Sequence, residues 1–415
     1  MTTNWKRTLY IMVFAQAMST LGFSTIFPFL PLYVEDLGSS TGLGVEVLSG
    51  LVFSGQAVTM MIAAPIWGAL ADRHGRKLMV ERATFGGAVI IALMAFVRSG
   101  EELVILRAVQ GMLTGIASAG NALVAASVPR ERTGYAMGLM QVGMWGGISI
   151  GPLVGGVAAD AFGFRASFLV TGVLLLAAGI LVWRGVDEHF EPRAITGEKR
   201  GSILSDWRHV LSMPGVLPTY STRFMAWLGR TMPTPFMPLF LQSLLPEGAQ
   251  VATLTGVIVA VSSVAGTISA VYMGRLGDRI GHKRVLLMSA SAGALFYFPQ
   301  TFVTETWQLL VLQALTGFAA GGIMPVISAL LARYTLPGEE GAVYGLENSI
   351  VSASRAIAPM IGSPLVLWFG LRSVFTATGV LFAIATLFAL RWLPDLESAH
   401  TRLAREERKA AAAGK

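Results

Sequence analysis

The sequence predicts an all-α membrane protein, with twelve transmembrane helices in two pseudo-symmetric six-helix bundles. Three observations predict it. The charge-free runs 8–34, 47–71, 133–159, 248–274 and 306–332 are each long enough to cross a ~30 Å hydrocarbon layer as a helix of about 20 residues. One short motif recurs 206 residues apart. Lysine and arginine gather on one side of the resulting topology.

Composition agrees. Hydrophobic residues make up 53% of the 415, charged residues 13%, and mean hydropathy is +0.62. A soluble domain carries about 25% charged residues. The apolar runs lack the alternation of barrel strands, so helices are the remaining way to satisfy the backbone in lipid. Cysteine is absent, which excludes a disulfide framework, a thiolate nucleophile and a cysteine metal site. The five histidines show no ligand spacing, so no metal site is expected.

In order, the spans are read at 8–34, 47–71, 78–97, 103–127, 134–159, 166–183, 214–243, 250–274, 285–304, 307–332, 342–369 and 372–392. Residues 1–184 form the first bundle and 214–393 the second. Between them, 185–213 is a linker in which Trp207, Val210 and Leu211 fall at helical spacing, as in a short helix lying on the membrane surface. Residues 394–415 are a polar tail. Only Arg98, Arg165 and Arg372 lie on the side away from the termini, while all six lysines lie on the side with them. By the positive-inside rule both termini are cytoplasmic. The net charge of +7 is thus a topology signal, and no nucleic-acid partner is expected.

The repeated motif is Gly68-Ala-Leu-Ala-Asp72-Arg73-His-Gly75-Arg76-Lys77 and Gly274-Arg-Leu-Gly-Asp278-Arg279-Ile-Gly281-His-Lys283. Each copy is a charged hinge between apolar runs. Its glycines allow a tight turn, and Asp72 can meet Arg73, Arg76 or a helix N-terminus. Arg107-Ala-Val-Gln110-Gly111 aligns with Gln313-Ala-Leu-Thr316-Gly317 at the same offset, and Pro152 with Pro359 at 207. Duplication of a six-span unit follows. On span five, Gly147, Gly151, Pro152, Gly155 and Gly156 combine small-residue spacing with a bend.

These motifs, in this order and on these spans, resemble the major facilitator superfamily, and within it the twelve-span drug:proton antiporter branch. The resemblance covers residues 8–393. It implies that Gly68, Asp72, Arg73, Gly75, Arg76, Asp278 and Arg279 act as a latch between the halves. It also implies that the span-five motif seals their interface against ion leak.

Polar stripes on apolar spans point to a shared aqueous cavity. Arg107, Gln110, Thr114, Ser118 and Asn121 share one face of span four; Arg223, Trp227, Arg230 and Thr234 one face of span seven; Asn348, Ser352 and Arg355 one face of span eleven. With Gln16 of span one, the expected cavity residues are Arg107, Gln110, Asn121, Trp227, Arg230, Asn348 and Arg355. Glu347 is the one acid well inside a span. It is the candidate proton carrier, coupled to Arg107 and Arg355, or else a structural partner of Arg223 or Arg355. Cation exporters in the branch often carry an acid within span one. Here that span has Gln16, Ser19, Thr20 and Thr25, so the cavity is net positive and favours anionic, zwitterionic or neutral compounds.

The reading is a proton-coupled secondary transporter exporting small amphipathic compounds, including drugs, by alternating access. It is a monomer in the cytoplasmic membrane and not an enzyme. It uses no cofactor, the proton gradient being its energy source. The alternatives are an organic-anion importer or exchanger with an arginine-lined cavity, and a lipid flippase on the same fold.

Overall fold

The computed structural model describes residues 5–113, 115–129, 132–188, 203–334 and 340–394, and the ordered elements among them are helices. In the first half these are α1 (Trp5–Thr25), α2 (Leu30–Leu37), α3 (Val45–His74), α4 (Arg76–Met94), α5 (Gly100–Leu113), α6 (Ile116–Ser127), α7 (Thr133–Phe162) and α8 (Phe164–Gly185). A short α9 (Ile203–Ser212) follows. The second half holds α10 (Val216–Thr231), α11 (Met237–Leu244), α12 (Val251–Ile280), α13 (His282–Tyr297), α14 (Thr306–Gly321), α15 (Ile323–Tyr334), α16 (Glu340–Phe369) and α17 (Ser373–Trp392). Among the described residues eight helical stretches, one of them running through α14 and α15, are long and apolar enough to cross a membrane, or nine with the bent pair α1 and α2.

Twelve spans emerge once three broken ones, α1 with α2, α5 with α6 and α10 with α11, are joined and α14 is read on into α15. Spans one, four and seven are interrupted, a correction to the continuous helices expected there from hydropathy, whereas span ten runs on across Gly322. Between α1 and α2 the axis bends by 44°. The corresponding break between α10 and α11 contains Pro233 and Pro235, which remove backbone donors. At the break between α5 and α6, Gly115 adopts φ +136°, open to glycine alone. α14 and α15 continue as one apolar stretch, Thr306–Leu331, across Gly322, whose backbone stays helical at φ −73° and ψ −22°. The ends of the first break, Thr25 and Leu30, and those of the third, Thr231 and Met237, are 206 and 207 residues apart. Discontinuous spans at matching places in two halves are how such folds open polar backbone towards an internal site.

Packing follows the same duplication. One apolar cluster joins Leu9, Met79, Val80, Leu123 and Val182 within the first half. Another holds Tyr220, Phe240, Leu309, Val326, Phe375 and Phe382 within the second. A third cluster crosses between halves, joining Ile26, Phe29, Tyr33, Leu48 and Val52 to Leu239 and Ala252. Its members lie at the end away from the two hinges. Exposed Trp183, Trp307, Trp368 and Trp392 sit near span ends, where indoles prefer the membrane interface.

Two seams join the halves, and they are copies of each other. On one, a Cβ at Gly256 would lie 2.3 Å from the Pro152 carbonyl oxygen, and one at Gly156 would lie 2.2 Å from that of Ala252. On the other, a Cβ at Gly50 would lie 1.9 Å from Ser363 Oγ and 3.2 Å from the Pro359 oxygen. Gly50 and Gly256 are related by the 206-residue offset, and Pro152 with Gly156 by 207 to Pro359 with Ser363. The Ser363 hydroxyl also donates to the Glu46 carbonyl, 3.1 Å. Both seams lie at the same end as the third apolar cluster. Along the hinge-end stretch of α7, a Cβ at Gly134 or Gly138 would meet nothing within 4 Å.

On α9, Val210 is 1% exposed, and Trp207 and Leu211, both partly buried, pack on the core of the second half; the side chains of Ile203 and Leu204 lie outside the described residues.

Candidate functional site

Span seven builds the site. On α10, Tyr220, Arg223, Trp227 and Arg230 recur at helical spacing, so they rise along one face. The Tyr220 hydroxyl donates to the Val343 carbonyl of α16, 2.9 Å, and fixes the two helices against each other. One turn on, the Arg223 guanidinium pairs with the Glu347 carboxylate; the two side chains are 5% and 9% exposed. Nε and Nη1 of Arg223 find no partner among the described residues.

Further along, two guanidinium groups share one indole. Arg355 lies 5.0 Å from the Trp227 ring centroid and Arg230 lies 5.7 Å from it. Each contact is worth about 0.5–2 kcal/mol, depending on desolvation. Trp227 and Arg230 line a cavity with Ala226, Ala320, Ile323, Met324 and Phe382. Asn348 and Arg355 are exposed. Glu347 is eight residues before Arg355, about 12 Å along a helix axis. The site is therefore aromatic and cationic, with its acid already committed to Arg223.

The structure separates the span-four residues from this group. Arg107 and Gln110 are 1% and 0% exposed. Arg107 donates to Gln110 Oε1 at 2.6 Å, to the Val52 carbonyl at 3.4 Å and to the Gln56 side chain, and its guanidinium lies 5.9 Å from the Phe53 ring. It thus lies in the seam between α3 and α5, rather than on an open cavity wall beside Glu347. Gln16, 4% exposed, is likewise inside the bundle and donates to Thr20. Asn121 on α6 is half-buried. Gln56 was missed because a lone polar residue within an apolar run does not announce its partner. Thr114 and the side chain of Ser118 lie outside the described residues.

At the first hinge, the side chains of Asp72 and Arg73 and the surroundings of Gly68 lie outside the described residues. Gly75 takes φ +97° and starts α4 without a side-chain cap of its own. Glu188, just past α8, supplies one: its carboxylate accepts the N–H groups of Arg76 and Lys77 at 3.0 and 2.7 Å. Arg76 Nη1 donates to the Ala122 carbonyl, 3.0 Å. In the second hinge Gly281 has φ +99°, and Asp278 lies 3.5 Å from His282 Nε2. Arg279 is exposed.

The span-five motif divides its work between two neighbours. Cβ atoms at Gly147, Gly151 and Gly155 would strike the backbone or side chains of Ala17–Thr25 on α1. The Ser24 hydroxyl donates to the Gly147 carbonyl, 2.9 Å. Gly156 faces α12 instead, and Pro152 turns its carbonyl onto Gly256. Among the described residues no group of three or more His, Asp or Glu could hold a metal ion.

The family model described as Major Facilitator Superfamily matches residues 12–245 and 219–415. The chain is 34% identical to Multidrug resistance protein MdtG of Dickeya zeae (strain Ech586), over 94% of this chain and 95% of that protein. It is 35% identical to the protein of the same name from Enterobacter lignolyticus (strain SCF1), over 94% and 93%. A solved bacterial homolog of the human lysosomal transporter Spinster, in an inward-facing and unoccupied conformation, superposes with a TM-score of 0.74 at 13% identity, covering 93% of this chain and 96% of that one; at that identity the likeness is one of fold. With twelve spans in two related halves, a family model that matches most of its length and relatives about a third identical over nearly the whole chain, this multi-pass membrane protein belongs to the Major Facilitator Superfamily.

Proposed function

We propose that this protein is a proton-coupled exporter of small amphipathic compounds, drugs included, working by alternating access. The observation that carries the reading is the pair of close-packed glycine seams at one end of the two halves, with the Trp227, Arg230 and Arg355 group deeper in the fold. The resemblance to multidrug resistance proteins over nearly the whole chain supports it. The basic hinges support a cytoplasmic location for the opposite end, by the positive-inside rule. The structure is then inward-facing, in the cytoplasmic membrane, with both termini inside. Residues 1–184 and 214–393 are the rocking units, 185–213 the linker and 394–415 a cytoplasmic tail. The protein works as a monomer, without nucleic acid or cofactor, on the proton gradient.

Glu347 is the proton carrier in this reading, with Arg223 as its partner in the ionised form. Protonation releases Arg223, whose Nε and Nη1 already have spare donors. Arg107 shapes the first half from within the α3–α5 seam, and Asp72 with Arg73 and Arg76 latches the cytoplasmic end when it closes. The test is transport in proteoliposomes under an imposed pH gradient. Substrate movement dissipates the gradient, and Glu347→Gln uncouples it while sparing binding. Unchanged coupling in that variant removes Glu347 from the mechanism.

A second reading concerns the cargo. Two guanidinium groups on one indole, with no carboxylate paired to them among the described residues, favour organic anions or zwitterions over cations by simple Coulomb attraction. The same site then serves an anion exporter or exchanger.

A further inference from the structure

The outer closure contains a contact of a different kind from the glycine seams. α12 is a helix of 30 residues whose N-cap position is Gln250, and Gln250 provides no side-chain cap. Ser, Thr, Asp and Asn fill that role well because a short side-chain oxygen reaches the N–H of the second or third helical residue. Here the third residue is Thr253. Its N–H donates at 2.7 Å to Oδ2 of Asp160, 93 positions earlier, on the last turn of α7 in the opposite half. An exposed carboxylate of one half thus caps a helix of the other, at the positive end of that helix's macrodipole.

Around it the halves meet through backbone. Gly156, one turn before Asp160, packs against the Ala252 carbonyl beside Thr253. Asp160 therefore comes to Thr253 when α7 and α12 are seated together. In the duplicated seam the position related to Asp160 is Leu367, and the one related to Thr253 is Val47. No counterpart of the carboxylate cap exists there. The contact is one-sided, unlike the glycine packing, and the duplication alone does not require it.

We propose that Asp160 is a positioning residue for the transport cycle, a latch that favours the outward-closed state by capping α12 across the interface. The proposal rests on the alternating-access reading given above. When the outer ends part, the Thr253 N–H and the Asp160 carboxylate both return to water, and α12 loses its cap. Losing an N-cap is a modest effect, which suits a contact that breaks in each cycle. On the usual scale of such caps it changes the ratio of outward-closed to outward-open protein about fivefold.

The chain contains no cysteine, so introduced ones are unique labelling sites. Phe96 and Phe302 are exposed near the outer ends of spans three and nine, one in each half. Spin labels on the full chain carrying Phe96→Cys and Phe302→Cys, in nanodiscs, report the outer separation as a distance distribution. With Asp160 intact, two populations are expected. With Asp160→Ala the outward-open share rises about fivefold relative to the closed one, and Asp160→Asn, whose amide oxygen accepts the same bond, shifts it less. Adding Gln250→Asp to Asp160→Ala restores thermal stability by capping α12 from its own chain, but leaves the population shifted, because that cap is present in both states. A single distance under all conditions would defeat alternating access itself. Two populations that Asp160→Ala leaves unmoved would overturn the latch, and so would a shift that Gln250→Asp reverses, since the residue would then only stabilise a helix.

Discussion

Glu347 on α16 forms an ion pair with Arg223 on α10, and both side chains are less than a tenth exposed. The pair stays within the second half, so it does not hold the two halves together. Removing one partner leaves a buried charge uncompensated. Arg223→Ala is expected to destabilise the protein by about 3 kcal/mol, and Arg223→Ala with Glu347→Gln by clearly less. Thermal unfolding of the single and double variants in detergent measures the difference. Additive losses would mean that the pair carries no coupling energy.

The indole between two guanidinium groups predicts selectivity. Arg230→Ala and Arg355→Ala are expected to weaken binding of anionic compounds by about tenfold, the scale of one lost charge-assisted contact of ~1.4 kcal/mol. Neutral compounds of the same size should change little. Trp227→Leu should weaken aromatic ligands of every charge. Titration with matched anionic and neutral ligands checks this, and equal losses for both classes would contradict selection by charge.

At the seam between α7 and α12, Gly256→Leu places a side chain where a Cβ alone would lie 2.3 Å from the Pro152 carbonyl oxygen. Backbone on both sides leaves it no room, so the outward-closed state should be lost. Ala252 is fully buried in this structure. An Ala252→Cys probe, unreactive by itself, should label at least tenfold faster with Gly256→Leu present, and transport should fall by a similar factor. Unchanged labelling would show that the seam adapts.

Glu101 holds the loop between α2 and α3. Its carboxylate accepts bonds from the hydroxyls of Ser39, Ser40 and Thr41 and from the N–H groups of Ser40 and Thr41, at 2.7–3.1 Å. The Ser39 and Thr41 hydroxyls and the Ser40 N–H hold its pKa well below the usual carboxylate range. Because the folded value is the lower one, the loop's anchorage is complete above the unfolded carboxylate's pKa and fades only as pH falls towards the folded one. Amide exchange at Ser40 and Thr41, corrected for intrinsic rates, should therefore show constant protection from neutral pH to about pH 5. Glu101→Gln should reduce that protection at every pH.

The carboxylate of Glu188 caps α4 through the N–H groups of Arg76 and Lys77. Glu188→Ala should cost about 1 kcal/mol of stability and raise exchange at those two amides. Asp72→Asn, by contrast, should slow turnover with little change in substrate affinity. Kinetics and binding measured on the two variants separate a cap from a latch; a pure binding defect in Asp72→Asn would contradict the latch.

Much of the architecture was legible in the amino-acid sequence. Apolar run lengths, the offset of 206 between the hinges and the one-sided lysines determined the helical membrane class, the duplication and the expected orientation. These are local or additive properties, so the linear order of residues records them. Helical spacing likewise grouped Arg223, Trp227 and Arg230 on one face. It could not say what covers a face. Only the tertiary structure decided that Arg107 turns to Gln56 instead of a cavity, that Glu347 belongs to Arg223, and that Asp160 completes a helix of the opposite half. Each of those contacts joins different helices, and its energy depends on how whole helices seat against one another, which periodicity along a single helix does not encode.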